Sequence, residues 1–260
     1  MTMKTKLTLL ACLFLGFSTT LSAQNARFAT EGVIEFDRST NMYAILQKQV
    51  NAENSSFLTQ IIDDYKKKQP QFKVLKSTLS FSKSKTLFTP IEDTSPPIAW
   101  FGESPEISQI NTVYTDLSTK EKITRKKVYE ETFVVKDTAR TINWKITGET
   151  REIAGYMCRR ANAVIMDSVY VVAFYTDEIP VSGGPESFNG LPGMILGVAL
   201  PHDNVTWFAK MVNDRPVESK VLVPPTKGKA TDVKGLISTL AAALKNYGTY
   251  YKTMLKAFLL

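Results

Sequence analysis

Histidine is almost missing from this chain. His202 is the single one among 260 residues, which excludes a metal centre built on several imidazoles and makes zinc a poor expectation. Cysteine is scarce too, with only Cys12 and Cys158. A chain cut beyond Cys12 keeps one thiol and cannot form an intramolecular disulfide, so its stability must come from an apolar core. No apolar run reaches the roughly 20 residues that a helix needs to cross a bilayer. There is no Gly-x-Ser-x-Gly elbow and no calcium loop of spaced oxygen ligands. Ser182-Gly183-Gly184-Pro185 is followed by neither Lys-Ser nor Lys-Thr, so it reads as a turn and not as a phosphate cradle. Neither a cofactor nor a metal is expected.

What is present begins with an export signal. Lys4 and Lys6 precede an apolar run from Leu7 to Phe17, and the small and polar stretch Ser18 to Ala23 follows. This pattern predicts a signal peptide over residues 1–23 and one mature domain over 24–260. Leu9-Leu10-Ala11-Cys12 also resembles a lipidation box. Only five apolar residues, Leu7 to Ala11, precede that cysteine, and the run continues past it, so a soluble exported protein is favoured over a lipoprotein. The expected location is the periplasm or the periphery of the outer membrane. The chain carries 32 Lys and Arg against 25 Asp and Glu; removing Lys4 and Lys6 leaves 30 against 25, or +5. That mild excess is no nucleic-acid signature.

The body of the chain reads as strands between two helical stretches. Glu31 to Asp37 alternates as a first strand, and Met42 to Val50 is ambiguous. Phe57, Leu58, Ile61, Ile62 and Tyr65 keep a helical spacing that ends in Lys66-Lys67-Lys68, before Pro70. A strand pair over Phe72 to Phe88 turns at Ser82 to Lys85. Residues 90–106 form a proline-rich loop around Ile98-Ala99-Trp100-Phe101. Strands follow at 112–116, 122–135, 141–150, 155–165, 169–176, 194–198, 205–212 and 217–223. In the second of these, Thr124 to Tyr129 mixes cations with an aromatic and reads as a solvated strand face. Val233, Leu236, Ile237, Leu240, Ala243, Leu244 and Tyr247 then predict an amphipathic helix over about 230–258, capped by Thr231 or Asp232 and interrupted at Gly248. The expected fold is α+β and β-rich, a curved antiparallel sheet or partly closed barrel with one early helix and one C-terminal helix.

The densest signal is Asn189-Gly190-Leu191-Pro192-Gly193, which leads into the unbroken apolar run Met194 to Leu200. Pro192 suits the first central position of a type II turn, and Gly193 is expected to take the positive φ of the second. Gly190, Leu191, Pro192 and Gly193 are therefore read as a structural motif, followed by a strand covered on both faces.

Trp144 to Ala161, then Phe174-Tyr175-Thr176-Asp177-Glu178-Ile179-Pro180, then Gly184 to Leu196 together resemble the GLPGLI family of exported Bacteroidetes proteins. The resemblance covers roughly residues 30–215. Met194 stands where the motif carries leucine, a volume-conserving change, and Phe174 stands where tryptophan is common. Such proteins have no established biochemical role and are often encoded near outer-membrane TonB-dependent receptors. The resemblance thus implies a compartment and a domain, and it makes a receptor a candidate partner.

Candidate chemistry is sparse. Cys158 with His202 would make a nucleophile and base, but an inert buried thiol is the stronger expectation, because on a strand Arg159 points away from Cys158. Asp177 and Glu178, with Glu186 beyond the loop, would make an acid and base pair of the glycosidase kind, although acids beside a proline loop are more often solvated. The expected function is an envelope-associated binding or accessory protein whose partner is an outer-membrane receptor or an apolar ligand. A periplasmic hydrolase using Cys158 and His202, or Asp177 and Glu178, is the alternative. The shape resembles carriers of apolar ligands in architecture only.

Overall fold

The computed structural model describes residues 28–94, 104–248 and 251–260. The expected signal peptide with Cys12, and the patch Ile98 to Phe101, lie outside the described residues. The strands are β1 (Glu31–Asn41), β2 (Phe72–Ser82), β3 (Lys85–Pro90), β4 (Asn111–Asp116), β5 (Glu121–Val128) and β6 (Glu131–Thr138). They continue with β7 (Lys145–Ile153), β8 (Tyr156–Ile165), β9 (Val169–Thr176), β10 (Met194–Leu200), β11 (Val205–Asn213) and β12 (Lys229–Asp232). The helices are α1 (Met42–Lys48), α2 (Ser55–Lys68), α3 (Pro105–Ser108), α4 (Val233–Leu244) and α5 (Tyr251–Leu259).

All twelve strands belong to one sheet, ordered β12-β6-β5-β4-β3-β2-β1-β11-β10-β9-β8-β7. Every neighbouring pair is antiparallel except β12 with β6, which is parallel. The sheet is therefore mixed, β-rich and unclosed, and it has the expected early and C-terminal helices. It curls strongly: Met166, at the β8–β9 hairpin, lines the same cavity as Lys122 on β5, although their strands lie in opposite halves of the sheet order.

One apolar core fills the curl, drawing Ile34 and Phe36 from β1, Leu79 and Phe81 from β2, and Leu196 and Val198 from β10. Alternation selects these residues, because successive strand side chains point to opposite faces. On β10 nearly every residue is buried, as the unbroken apolar run predicts. The early helices make a satellite cluster in which Met42, Ile45 and Leu46 of α1 meet Ile62 and Tyr65 of α2. At the other end, Leu236, Leu240 and Leu244 of α4 pack with Val128, Phe133 and Phe258. Asp232 caps α4 by accepting from the Gly235 amide at 2.7 Å.

Several local expectations need correction. Met42 to Lys48 is a helix, capped by the Asn41 side chain. The strand expected over 122–135 is two strands joined at Tyr129 and Glu130, with Tyr129 at φ +53°. The turn contains no Gly, Pro or Asn, so the apolar alternation reads straight through it. Val217 to Val223 is not a strand, because β1 and β10 already occupy both sides of β11. The last strand is instead β12, beside β6. Gly248, at φ +53°, separates α4 from α5.

The central turn also departs from expectation. Gly193 has no positive φ; the left-handed glycine there is Gly190, at φ +94°. Gly193 is required for a different reason, since a Cβ on it would lie 2.0 Å from the Thr176 carbonyl oxygen of β9. The turn is held down by Trp144, whose Nε1 donates to the Asn189 carbonyl at 2.9 Å, and by Ser182 Oγ, which donates to the Leu191 carbonyl at 2.6 Å.

Candidate functional site

Alternation also carries charged residues onto the inner face. On β1 the buried positions run Ile34, Phe36, Arg38, Thr40. On β5, Lys122, Thr124, Lys126 and Val128 share one face, and Lys126 is only 5% exposed. Arg125 and Lys127 are the solvated members of that run, whereas Lys126 is not, which corrects the reading of Thr124 to Tyr129 as a wholly solvated face. A third buried charge is Glu186, 8% exposed and in the left-handed region at φ +51°. Backbone of this kind in a bulky residue persists only where its surroundings enforce it.

Arg38 is bound tightly to the backbone. Its Nη1 donates to the carbonyls of Ile107 and Gln109 at 3.1 and 2.9 Å, and its Nη2 donates to that of Glu106 at 2.7 Å. Its guanidinium carbon lies 5.4 Å from the Trp207 ring centroid, in cation–π range. Burial lowers its pKa, against the raising effect of Glu186. Burial also raises the Glu186 pKa, while the hydrogen bond from Asn111 Nδ2 at 3.0 Å and the charges of Arg38 and Lys126 pull it down. Lys126 donates to the Phe258 carbonyl, and its pKa falls to about 8 through burial and the cations Lys122 and Arg140.

These groups border two adjoining cavities beneath α5. The smaller, about 40 Å³, is lined by Arg38, Glu186, Asp203, Trp207, Lys256 and others, and holds a few waters at most. Three buried polar atoms on its wall have no hydrogen-bond partner: Arg38 Nε, Trp207 Nε1 and Asp203 Oδ2. The other oxygen of Asp203 pairs with Lys256. The wider cavity, about 240 Å³, shares Asn111 and Leu260 with the lining of the first. Its lining combines Lys122, Lys126, Arg140 and Asp137 with Val113, Val135, Met166 and Leu236. Lys122 pairs with Asp137 at 3.1 Å, and Arg140 Nη2 donates to the Leu259 carbonyl at 3.3 Å. Buried polar groups are normally satisfied, so donors and an acceptor around this space mark a place where water or a small polar group completes the bonding.

The residues singled out for catalysis do not meet there. Cys158 is fully buried in the apolar core, and burial pushes its thiol up to about 12. A thiolate at that pKa is negligible near neutrality. His202 is exposed, its ring tilted against that of Tyr170 at the start of β9 with the centroids 6.4 Å apart. Cys158 lies toward the far end of that strand, because its neighbour Arg159 pairs with Tyr175. Five residues of extended strand separate Tyr170 from Tyr175, or about 17 Å, so the Cys158 and His202 dyad is not assembled. Asp177 and Glu178 are exposed after β9, whereas Glu186 is buried beside Arg38 and Lys126. Glu186 is thus set apart from the two exposed acids. Among the described residues, no group of His, Cys, Asp and Glu could hold a metal ion. Gly190, Leu191, Pro192 and Gly193 lie in the turn before β10, outside the lining of either cavity.

Arg38 had a readable signal, since it continues the inward alternation of Ile34 and Phe36, one residue beyond the expected end of the first strand. Trp207 had none, because its partner across the sheet is known only once β1 and β11 are paired, which sets Arg38 opposite Trp207.

Residues 163–197, spanning β9 and the motif turn, match the family model described as a protein of unknown function (Porph_ging). No curated protein matches the chain. Solved structures of PNGF-II in two crystal forms are similar. The C2 form has a TM-score of 0.50 at 14% identity, over 86% of this chain and 32% of that one. The P21 form has a TM-score of 0.49 at 15% identity, over 81% and 33%. This chain spans about a third of the length of the PNGF-II chains it matches, and the likeness is one of fold alone.

Proposed function

We propose that this chain is an exported, envelope-associated protein of the GLPGLI type that binds a small molecule on the inner face of its sheet. The observation that carries this reading is the pair of cavities under α5, with Arg38, Lys126 and Glu186 buried in their walls and three polar atoms left without partners. Burying charge costs stability unless something repays it. Arg38, Glu186 and Lys126 offset one another in part, and a ligand would offset the positive excess that remains among Lys122, Lys126 and Arg140. Export rests on the expected signal peptide over residues 1–23, and a role beside an outer-membrane TonB-dependent receptor rests on the GLPGLI resemblance.

Native mass spectrometry of the full chain, purified from its own envelope without denaturation, tests the reading. The expected result is a population heavier than the bare chain by a small-molecule mass, which disappears in Lys126→Met. A bare chain under conditions that retain weak ligands, with no receptor co-purifying, would overturn it.

A further inference from the structure

We propose that the wider cavity takes an amphipathic carboxylate of about ten heavy atoms, its head group among Lys122, Lys126 and Arg140 and its apolar part against Met166 and Leu236. This deepens the binding reading above and rests on it.

The lining of the cavity is mixed. Lys122 and Lys126 of β5 share their face with Val113 of β4 and Val135 of β6, which pair with Thr124 between them, and Arg140 adds a third cation; Lys122 is already paired with Asp137 at 3.1 Å. Met166 from the β8–β9 turn and Leu236 from α4 add apolar surface. An ion without an apolar part would leave these apolar side chains facing water, and a hydrocarbon without a charge would leave the cations uncompensated.

Charge sets the sign of the head group. Lys122, Lys126 and Arg140 give three positive charges against the one negative charge of Asp137 in this lining, while Glu186, beyond it, is set against Arg38. An anionic head group offsets that positive excess, and a neutral or cationic one would not. The cations also oppose one another: Lys122 and Arg140 both lower the Lys126 pKa, and a carboxylate between them would relieve that repulsion. The hydrogen-bonding capacity is there. Lys126 spends one ammonium proton on the Phe258 carbonyl and Arg140 one Nη2 bond on the Leu259 carbonyl, which leaves further donors on both groups.

Volume sets the length. A dry cavity of about 150 Å³ accepts benzene, so 240 Å³ holds about ten heavy atoms by proportion. Three of these form the carboxylate, leaving a tail of about seven carbons.

Calorimetric titration of the full chain with octanoate tests the proposal, with 1-octanol as the uncharged chain and acetate as the charge without a chain. A buried charge-assisted contact predicts octanoate binding about ten- to a hundredfold tighter than octanol, with acetate at least as weak as octanol. In Lys126→Met that preference collapses toward unity. Should Lys126→Met fail to fold, Arg140→Gln is expected to reduce the preference several-fold. Equal affinity for octanoate and octanol would overturn the head-group assignment, and equal affinity for octanoate and acetate would overturn the apolar contacts. If none of the three binds while the envelope-purified chain carries another small molecule, the ligand class fails and the binding reading survives. If none binds and the purified chain is bare, both fail.

Discussion

The two halves of the sheet use their buried volume differently. Around β9 and β10 the interior is apolar and close-packed: Met194, Ile195, Leu196 and Val198 are fully buried, and Gly193 lies so near β9 that no Cβ fits. Around β4, β5 and β6, beneath α5, the interior holds Lys126, Glu186 and open space. The first half is filled by its own apolar side chains. The second contains groups that weaken the fold when nothing binds them. Departures from local consistency of this kind concentrate where a protein acts, and it is the contrast within a single sheet that marks the inner cavities as the functional region.

The sharpest way to break the contrast is at Gly193. Replacing it by alanine places a methyl group 2.0 Å from the Thr176 carbonyl oxygen, and because the obstacle is backbone the expected loss is on the order of 3 kcal/mol or more. Chemical denaturation measures it, and a loss near 1 kcal/mol would mean that the turn is less tightly docked than described here.

Next in size is a pH effect confined to the charged half. The Lys126 pKa is lowered in the folded chain to about 8 from 10.5, so the unfolded chain binds more protons between those values and stability rises with pH across them. Lys122, Arg140, Asp137, Glu186 and Asn111 surround that ammonium. Comparing wild type with Lys126→Met isolates its contribution. The stability advantage of the variant should be about 2 kcal/mol smaller at pH 10 than at pH 7. A difference independent of pH would show that Lys126 is not desolvated.

Smaller effects sharpen the account of the turn. Gly190→Ala meets only Trp144, at 3.6 Å, but must hold φ +94°, which costs about 1 kcal/mol. Pro192 is exposed, so Pro192→Ala should cost less than about 1 kcal/mol, through unfolded-chain entropy alone. If Pro192→Ala proved the costlier of the two, Pro192 would have a packing role that its exposure denies. For Cys158 the expectation is kinetic. A thiol raised to about 12 and wholly buried should resist a disulfide reagent at pH 8 until denaturant is added, and labelling within seconds would contradict its burial.

Much of the fold was legible because period-2 alternation and apolar runs depend on nearest neighbours alone. The β2–β3 hairpin, the β8–β9 hairpin at Met166-Asp167-Ser168 and the covered strand β10 all follow from such local patterns. What local patterns cannot supply is the pairing of distant strands. β5 and β6 looked continuous because Tyr129 and Glu130 carry no turn chemistry, and β12 was missed because its only partner is β6, a parallel neighbour almost a hundred residues earlier. The charged site was hidden for the same reason. Arg38, Lys126, Glu186 and Trp207 come from four separate segments, and each looks ordinary in its own. The roles of the two glycines were exchanged because close approach to Thr176 is a tertiary fact, whereas Pro-Gly is a local turn signal.

The contrast between the halves reduces to one measurement: amide hydrogen exchange on the full chain, with and without the small-molecule extract of its native envelope. Exchange should slow in β5, β6 and α5, which wall the cavities, and remain unchanged in the turn and strand from Asn189 to Leu200, which are already closed. Slowing centred on Asn189 to Leu200 would make the turn the contact surface, and no slowing anywhere would contradict the account of the inner face as a binding site.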